Sequence, residues 1–182
     1  MTEQGPASWP PAPIRTARLV LRESEPRDRA AFIDIFSAPD VCRFVGGAQP
    51  RAELERKVPE VPGRRRGFFA VELAGATIGM ITLDPRGADR LGHIRPEGEE
   101  TELGYMFLPE AWGQGYAAEA GAAALAWFAG AYPGEPVVLS SQVANAASLR
   151  VAAKLGFTEV ERFEEYGAEQ WFAVWSPVTQ AG

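Results

Sequence analysis

The chain has 182 residues, 46% of them hydrophobic, which suits one domain with a substantial core. Its formal net charge of −6 argues against nucleic acid as a partner, because binding to phosphates needs a basic surface. No apolar run reaches the length of a membrane span, and the N-terminus lacks the charged and apolar regions of a signal peptide. We therefore expect a cytoplasmic protein with no membrane partner.

Cysteine and histidine, the usual ligands of zinc and other transition metals, are scarce. Cys42 is the only cysteine, which excludes an intrachain disulfide, and we interpret it as a small buried residue rather than a nucleophile. His93 is the only histidine, and its polar loop suggests a surface position. Because His and Cys form no cluster with metal-ligand spacing, we expect no metal site.

The two ends of the chain differ from its middle. Residues 1–13 contain four prolines among small and polar residues, which predicts a disordered or loosely attached arm. The domain is expected to span residues 14–176, and residues 177–182 form a short tail. There is no internal repeat and no sign of a second domain.

The first half of the domain predicts a strand, two helices and a hairpin. Pro26 suits a first helical turn, apolar residues recur at helical spacing after it, and Pro39 ends the helix. A glycine-bearing turn between two β-like runs predicts the hairpin. The elements are the strand Arg18–Arg22, the helices Pro26–Ser37 and Arg51–Val58, and the strands Gly67–Leu73 and Thr77–Leu83.

The second half begins with a long loop over Asp84–Glu100, rich in glycine and charge, of the kind that is often functional. Alternating strands and helices follow, and Asn145 and Gly156 suit the two caps of the last helix. The elements are the strand Glu102–Leu108, the helix Tyr116–Ala129, the strand Val137–Val143, the helix Asn145–Leu155, and the strands Thr158–Glu165 and Glu169–Val174. Together they predict a mixed α/β sheet with helices on its faces.

The segment from Leu103 to Ala120 carries the clearest chemical signal. A strand runs into a turn with Gly113 and Gly115, and the turn opens a helix. The N-terminus of a helix leaves N–H groups unpaired and carries a positive partial charge, so such a turn can hold phosphate oxygens without a basic side chain.

Three interpretations of this segment are open. The glycines could serve turn geometry alone. Residues 113–118 also match the dinucleotide-binding pattern G-x-G-x-x-A, but four residues separate them from the strand, and the following strand ends at Ser140-Ser141-Gln142 without an acidic residue. The third interpretation is a loop for the pyrophosphate of coenzyme A.

Three blocks resemble the GNAT superfamily of N-acetyltransferases. Gly115 and Ala117 match the small positions of its loop pattern [Q/R]-x-x-G-x-[G/A], and Trp112 stands where Gln or Arg is usual. The helix and strand start at 145–157 is similar to N-x-x-S-x-R-v-x-x-K-L-G-F, and the opening at 15–22 is similar to the first strand of the branch that contains the ribosomal-protein alanine N-acetyltransferases.

The resemblance implies a single GNAT-like domain of the α/β (α+β) class, with a twisted, mostly antiparallel sheet of about seven strands and a splayed central pair. It also implies acetyl-CoA as co-substrate. The splayed strand would bind the pantetheine arm through its backbone and stabilise an oxyanion with one N–H, and the loop would bind the pyrophosphate. The strand residues are Tyr105, Met106, Phe107 and Leu108, and the loop residues are Trp112, Gly113, Gln114, Gly115, Tyr116 and Ala117.

The catalytic roles implied by the resemblance are a base for the attacking amine and a donor for the departing thiolate. Glu102 is the first candidate for the base, with a surface carboxylate as its other interpretation, and Glu99 and Glu100 are weaker candidates. The family's usual tyrosine is replaced by Ala152, so we expect Ser148, one turn away, to serve as the donor.

Several helix residues keep two interpretations. Ser148 could instead bond the backbone at the helix start. Asn145 could bind the pantetheine arm, cap the helix, or do both. Arg150 and Lys154 could meet the phosphates of coenzyme A or form a solvated surface.

The function implied is transfer of an acetyl group from acetyl-CoA to a primary amine, by direct attack in a ternary complex and without a metal. The sequence does not specify the acceptor, which could be a protein N-terminus or a small amine. A non-catalytic CoA-binding module and a nicotinamide-binding protein are the alternatives. A homodimer fits the family.

Overall fold

A computed structural model of the chain describes residues 8–177, and its elements alternate between strands and helices. The first and last residues of the chain, 1–7 and 178–182, lie outside the described residues. The strands are β1 (Ile14–Arg15), β2 (Leu19–Arg22), β3 (Phe68–Leu73), β4 (Ala76–Pro85), β5 (Thr101–Phe107), β6 (Val137–Gln142), β7 (Thr158–Glu165) and β8 (Ala168–Trp175). The helices are α1 (Arg29–Ser37), α2 (Pro39–Cys42), α3 (Arg51–Lys57), α4 (Tyr116–Ala131) and α5 (Ala146–Leu155), with 3₁₀ turns at Pro26–Asp28 and Pro109–Ala111.

All eight strands form one sheet in the order β1-β2-β3-β4-β5-β6-β8-β7. The expected number was about seven, and the additional strand is the two-residue β1, which is too short to leave a pattern in the sequence. Neighbouring strands are antiparallel except for the central pair β5 and β6. The mixed, mostly antiparallel sheet of a single domain is thereby confirmed.

The parallel pair separates soon after it forms. Thr101 pairs with Val137 and Glu102 pairs with Val138, and the described ladder between β5 and β6 ends there although both strands continue. The two strands therefore diverge from Glu102 onward and leave a cleft in the middle of the sheet. This splay matches the expectation for the central strands.

The helices cover opposite faces of the sheet. Helix α1 packs on the face that carries Phe68, Met80 and Met106. Helices α4 and α5 pack on the other face, against a larger core that contains Phe69, Ile81 and Leu103. Because successive residues of a strand point to opposite faces, the even-numbered residues of β5 face α1 and the odd-numbered residues face α4 and α5.

Helix ends follow from local chemistry. Asn145 precedes α5 and its side-chain oxygen accepts the Ser148 N–H at 3.2 Å, and Gly156 ends the helix with a φ of 92°. Both predicted caps are thereby confirmed. The first helix ends at Ser37, before Pro39, as predicted, and Pro39 then occupies the first turn of the separate short helix α2.

The single cysteine is buried, as expected. Cys42 is 1% exposed, and burial raises the pKa of its thiol, which disfavours the nucleophilic thiolate.

Trp9 lies in the segment expected to be a loose arm, but its ring is 5.2 Å from that of Phe69 and 5.9 Å from that of Trp127. The arm is therefore anchored to the core at Trp9.

Candidate active site

Main-chain groups of β5 line one side of the cleft. Bonded and non-bonded pairs alternate along an antiparallel ladder, and the Leu108 N–H donates to the Ile78 carbonyl at 2.9 Å. This bond shows that Leu108 directs its main-chain groups toward β4. Because the direction alternates from residue to residue, Met106 also directs its N–H and C=O toward β4. Tyr105 and Phe107 direct theirs toward the cleft.

This alternation reduces the number of main-chain groups on β5 that could bind the pantetheine arm. The Leu108 carbonyl accepts from the Ala111 N–H at 2.9 Å, so both main-chain groups of Leu108 are already engaged. Phe107 offers its N–H, while its carbonyl accepts from the Trp112 indole Nε1 at 2.9 Å. Main-chain binding in the cleft is therefore available from Tyr105 and Phe107, whereas the side chains of Met106 and Leu108 pack in the core on the face of α1.

The turn that follows β5 lies at the mouth of the cleft. Gly113 and Gly115 have φ values of 74° and 80°, a left-handed conformation that glycine adopts without steric cost. The Glu119 N–H donates to the Gly115 carbonyl at 3.1 Å, so the N–H groups of Tyr116 and Ala117 precede the first bond of α4. Together with Gln114, these residues form a strand–turn–helix with unpaired amides at its helical end.

Arg18 is a neighbour of this turn that the sequence analysis missed. Its guanidinium lies 4.4 Å from the centroid of the Tyr116 ring, and its Nε donates to Glu119 Oε1 at 3.1 Å. The side chain is 42% exposed. No basic residue occurs in the turn itself, so Arg18, which directly precedes β2, places a guanidinium beside the turn while it is paired with Glu119.

Glu102 lies where β5 and β6 separate, on the face of α1. Its Oε2 accepts from Arg86 Nη1 at 2.6 Å and its Oε1 accepts from Ser140 Oγ at 3.1 Å. Each oxygen of a carboxylate has two acceptor sites, so each retains one. Glu102 is therefore a held carboxylate at the apex of the cleft rather than a free surface group.

Arg86 holds this carboxylate from a fully buried position. Its Nε donates to the Gly92 carbonyl at 2.9 Å, Nη2 donates to the Leu91 carbonyl, and its guanidinium lies 5.2 Å from the centroid of the Phe172 ring. Its Nη1 also donates to Ser140 Oγ at 3.1 Å, so Arg86 connects the long loop to β5, β6 and β8. Arg86 was expected in a loop, where no local sequence pattern distinguishes it.

A pocket of about 250 Å³ lies beside Glu102. Gly104, the second residue beyond the β5–β6 ladder, forms part of its wall, so the pocket adjoins the start of the cleft. Its charged lining is mixed and balanced, with the carboxylates of Asp84 and Glu102 and the guanidinium groups of Arg86 and Arg90.

The hydroxyl of Ser148 contacts Tyr105 on β5, although the Ser148 N–H is bonded to Asn145 at the start of its own helix. Ser148 Oγ lies 2.9 Å from the hydroxyl of Tyr105, and the same hydroxyl lies 2.9 Å from the Ser148 carbonyl. Burial raises the pKa of Tyr105 to about 12, and the hydrogen bond with Ser148 opposes that rise. The side chains of Tyr105 and Ser148 thus meet on the face that carries α4 and α5.

The remaining residues considered in the sequence analysis lie either in the interior or on the surface. The carboxylate of Glu100, fully buried, accepts from the Ile94 and Arg95 N–H groups at 2.7 and 2.9 Å and lies 2.7 Å from His93 Nδ1. Glu100 therefore organises the loop and is not available as a base. His93 is half-buried, whereas a surface position was expected. Glu99, Arg150 and Lys154 are exposed, and Ala152 is completely buried.

The Glu100 carboxyl is also held in its charged form. Burial alone would raise its pKa, but the hydrogen bonds from His93 and from the main-chain N–H groups outweigh burial and lower that pKa.

Among residues 8–177, no three His, Cys, Asp or Glu side chains lie close enough together to hold a metal ion. Within the same residues, no helix combines the length and the apolar character needed to cross a membrane.

Comparisons with known proteins agree with this geometry. The acetyltransferase (GNAT) domain family matches residues 18–158. The uncharacterized protein YkkB of Bacillus subtilis (strain 168) is 31% identical over 148 residues, which are 78% of this chain and 82% of YkkB. A cleft between splayed parallel strands, with a glycine turn at its mouth, fits the acetyltransferase class, and the chain belongs to the GNAT acetyltransferase family.

Solved structures share the fold at low sequence identity. A GNAT-family acetyltransferase from Bacillus anthracis is 21% identical and superposes with a TM-score of 0.74, covering 91% of this chain and 98% of that one. RimL, a ribosomal L7/L12 alpha-N-protein acetyltransferase solved in complex with coenzyme A, is 17% identical with a TM-score of 0.70, covering 91% and 98%. These likenesses show the fold, and the RimL complex shows that a protein of this fold binds coenzyme A.

Proposed function

We propose that this protein transfers the acetyl group of acetyl-CoA to a primary amine by direct attack in a ternary complex. The observation that carries the proposal is the cleft between β5 and β6, which has unpaired amides at its mouth and the Glu102 carboxylate at its apex. Coenzyme A would lie on the side of α4 and α5, with its pyrophosphate at residues 112–117 and its pantetheine along Tyr105 and Phe107. Asn145, next to Ser148, would lie close to the same arm.

The chemistry follows from these positions. The amine nitrogen attacks the thioester carbon, and the N–H of Tyr105 or Phe107 can donate to the oxyanion that forms. Glu102 attracts the ammonium form and takes its first proton, directly or through water, and the second N–H proton leaves the tetrahedral intermediate to water as that intermediate collapses. The carbon–sulfur bond then breaks, the electron pair stays on sulfur, and the Ser148 hydroxyl donates a hydrogen bond to the thiolate.

The acceptor would enter from the face of α1, through the pocket beside Glu102. At about 250 Å³ this pocket is smaller than the roughly 300–1,000 Å³ typical of sites for drug-sized ligands. We therefore propose that it encloses only the amine-bearing end of the acceptor, either a small amine or the first residue of a protein. Its balanced charge favours acceptors with one amine over polycations.

The test has two stages. Titration calorimetry with coenzyme A measures binding, and release of free thiol from acetyl-CoA measures turnover against a panel of amines that includes peptides with free N-termini. We expect binding and turnover in the wild type, and lower turnover in Glu102→Gln and Ser148→Ala. Because Gln would leave the buried Arg86 without a counter-charge, thermal unfolding must accompany each assay.

A second candidate is a CoA-binding module without catalysis. The buried Ala152, at the position where many relatives carry a tyrosine, supports it. Binding of coenzyme A without turnover of any amine would favour this module over the enzyme. Thermal stabilisation by NAD(P) and not by acetyl-CoA would instead indicate a nicotinamide-binding protein. We further propose a homodimer, which sedimentation analysis tests.

A further inference from the structure

The hydroxyl of Tyr105 has two hydrogen-bond partners on a single residue. It lies 2.9 Å from the Ser148 carbonyl oxygen and 2.9 Å from Ser148 Oγ. A phenol carries one proton and a carbonyl can only accept, so Tyr105 donates to one of these oxygens at a time. The two arrangements differ in the direction of the Ser148 proton.

In the first arrangement, Tyr105 donates to the carbonyl and the Ser148 hydroxyl donates to the phenol oxygen. In the second, Tyr105 donates to Ser148 Oγ, and the serine proton is free to point away from the tyrosine. Tyr105 keeps an acceptor in both, so the serine hydroxyl can turn without leaving a buried tyrosine proton unpaired. A hydroxyl that accepts a hydrogen bond also becomes a stronger donor.

We propose that Tyr105 is a positioning residue, which turns the Ser148 hydroxyl toward the sulfur of coenzyme A as the carbon–sulfur bond breaks. The inference rests on the proposed function, because the donor role of Ser148 is part of it. In this step the electron pair of the broken bond stays on sulfur, and Ser148 donates a hydrogen bond to it. The proton released by the amine goes to Glu102 or to water, so no proton leaves Tyr105.

The acidity of Tyr105 agrees with positioning rather than proton transfer. Burial raises its pKa to about 12, with an opposing effect from the Ser148 hydrogen bond. An ordinary thiol has a pKa of about 8.5, so a thiolate is too weak a base to remove the proton from this tyrosine. The phenol therefore stays neutral and acts through the orientation of Ser148.

A structural role alone is the competing explanation, because the same contact connects β5 to α5. A tyrosine that only sets the width of the cleft would change the affinity for coenzyme A. A positioning tyrosine would change kcat for the acetyl transfer and leave that affinity unchanged. The two explanations therefore differ in how the effect divides between kcat and binding.

The experiment compares wild type, Tyr105→Phe, Ser148→Ala and the double variant, with Tyr132→Phe as a matched control. The Tyr132 hydroxyl, at the C-terminal end of α4, accepts from Arg66 Nη1 at 2.7 Å. Turnover gives kcat and KM for acetyl-CoA, calorimetry gives Kd for coenzyme A, and thermal unfolding reports folding. Wild-type turnover is measured first, and its absence would overturn the proposed function before any variant is compared.

We expect Tyr105→Phe to lower kcat about three- to tenfold, the range for loss of one hydrogen bond, with Kd for coenzyme A changed less than about twofold. The double variant should be no slower than Ser148→Ala, because Tyr105 acts only through that hydroxyl. The proposal is overturned if Tyr105→Phe weakens Kd in parallel with kcat, if it slows the Ser148→Ala background further, or if Ser148→Ala turns over like wild type.

Discussion

Replacement of Gly113 by alanine separates backbone strain from loss of phosphate-binding amides. Gly113 has a φ of 74°, and a Cβ built on it meets no atom within 4 Å. Gly167, in the turn between β7 and β8, has the same φ of 74° and the same open surroundings. The two substitutions therefore impose the same strain, and only Gly113 lies in the proposed pyrophosphate loop.

The left-handed φ sets the loss of folding stability that Gly113→Ala and Gly167→Ala share. A left-handed φ costs a residue with a Cβ about 1–2 kcal/mol. For a domain of this size, 1 kcal/mol corresponds to about 2–4 °C in Tm. We thus expect each variant to unfold about 2–8 °C below the wild type in a thermal scan, with little difference between the two.

The affinity for coenzyme A should distinguish them. In Gly113→Ala the amides meet the diphosphate only while the turn keeps its left-handed φ, so binding carries the strain of about 1–2 kcal/mol and should be about 5- to 30-fold weaker. Calorimetry should show this loss in Gly113→Ala and less than about a twofold change in Gly167→Ala. Equal affinities in the two variants would refute the assignment of the loop.

Three further predictions concern charged side chains. Arg18→Gln should weaken coenzyme A binding about two- to fivefold at low salt and less at high salt, because salt screens the charge. The control Arg162→Gln on β7 should leave coenzyme A binding unchanged. A loss of affinity that is independent of salt would contradict a charge effect. Glu102→Gln should lower kcat/KM for the amine about 100-fold while Kd for coenzyme A stays within about twofold, and an unchanged kcat/KM would exclude Glu102 as the base. The lowered pKa of Glu100 contributes stability above about pH 4.3, which is lost as the pH falls through the folded-state value. The Tm advantage of wild type over Glu100→Gln should therefore shrink from pH 6 to pH 3, and a constant difference would argue against this linkage.

Local sequence signals predicted the elements that frame the site. Asn145 and Gly156 cap α5 as expected, because capping depends on a few neighbouring residues. The strand–turn–helix around Gly113 and Gly115 was also predictable, since its glycines are contiguous with the strand and the helix. The two-residue β1 was not, because two residues carry no periodicity and pair only when β2 is already in place.

Charge partners across the fold were not predictable in the same way. Arg18 reaches Glu119 on a helix about one hundred positions later, and Arg86 reaches Glu102 and Ser140 on two different strands. Glu100 was considered as a base, but three groups of its own loop occupy its carboxylate. Such pairings depend on which strands become neighbours, and composition and periodicity do not encode that.

The sequence by itself determined the order of the longer strands and helices, the caps of α5, and the glycine turn that follows β5, because each depends on residues close together in the chain. Only the tertiary structure decided which main-chain groups of β5 face the cleft, which side chain meets Ser148, and how the carboxylates are partnered. Those properties depend on strand register and on contacts between distant segments, which form only when the sheet is assembled.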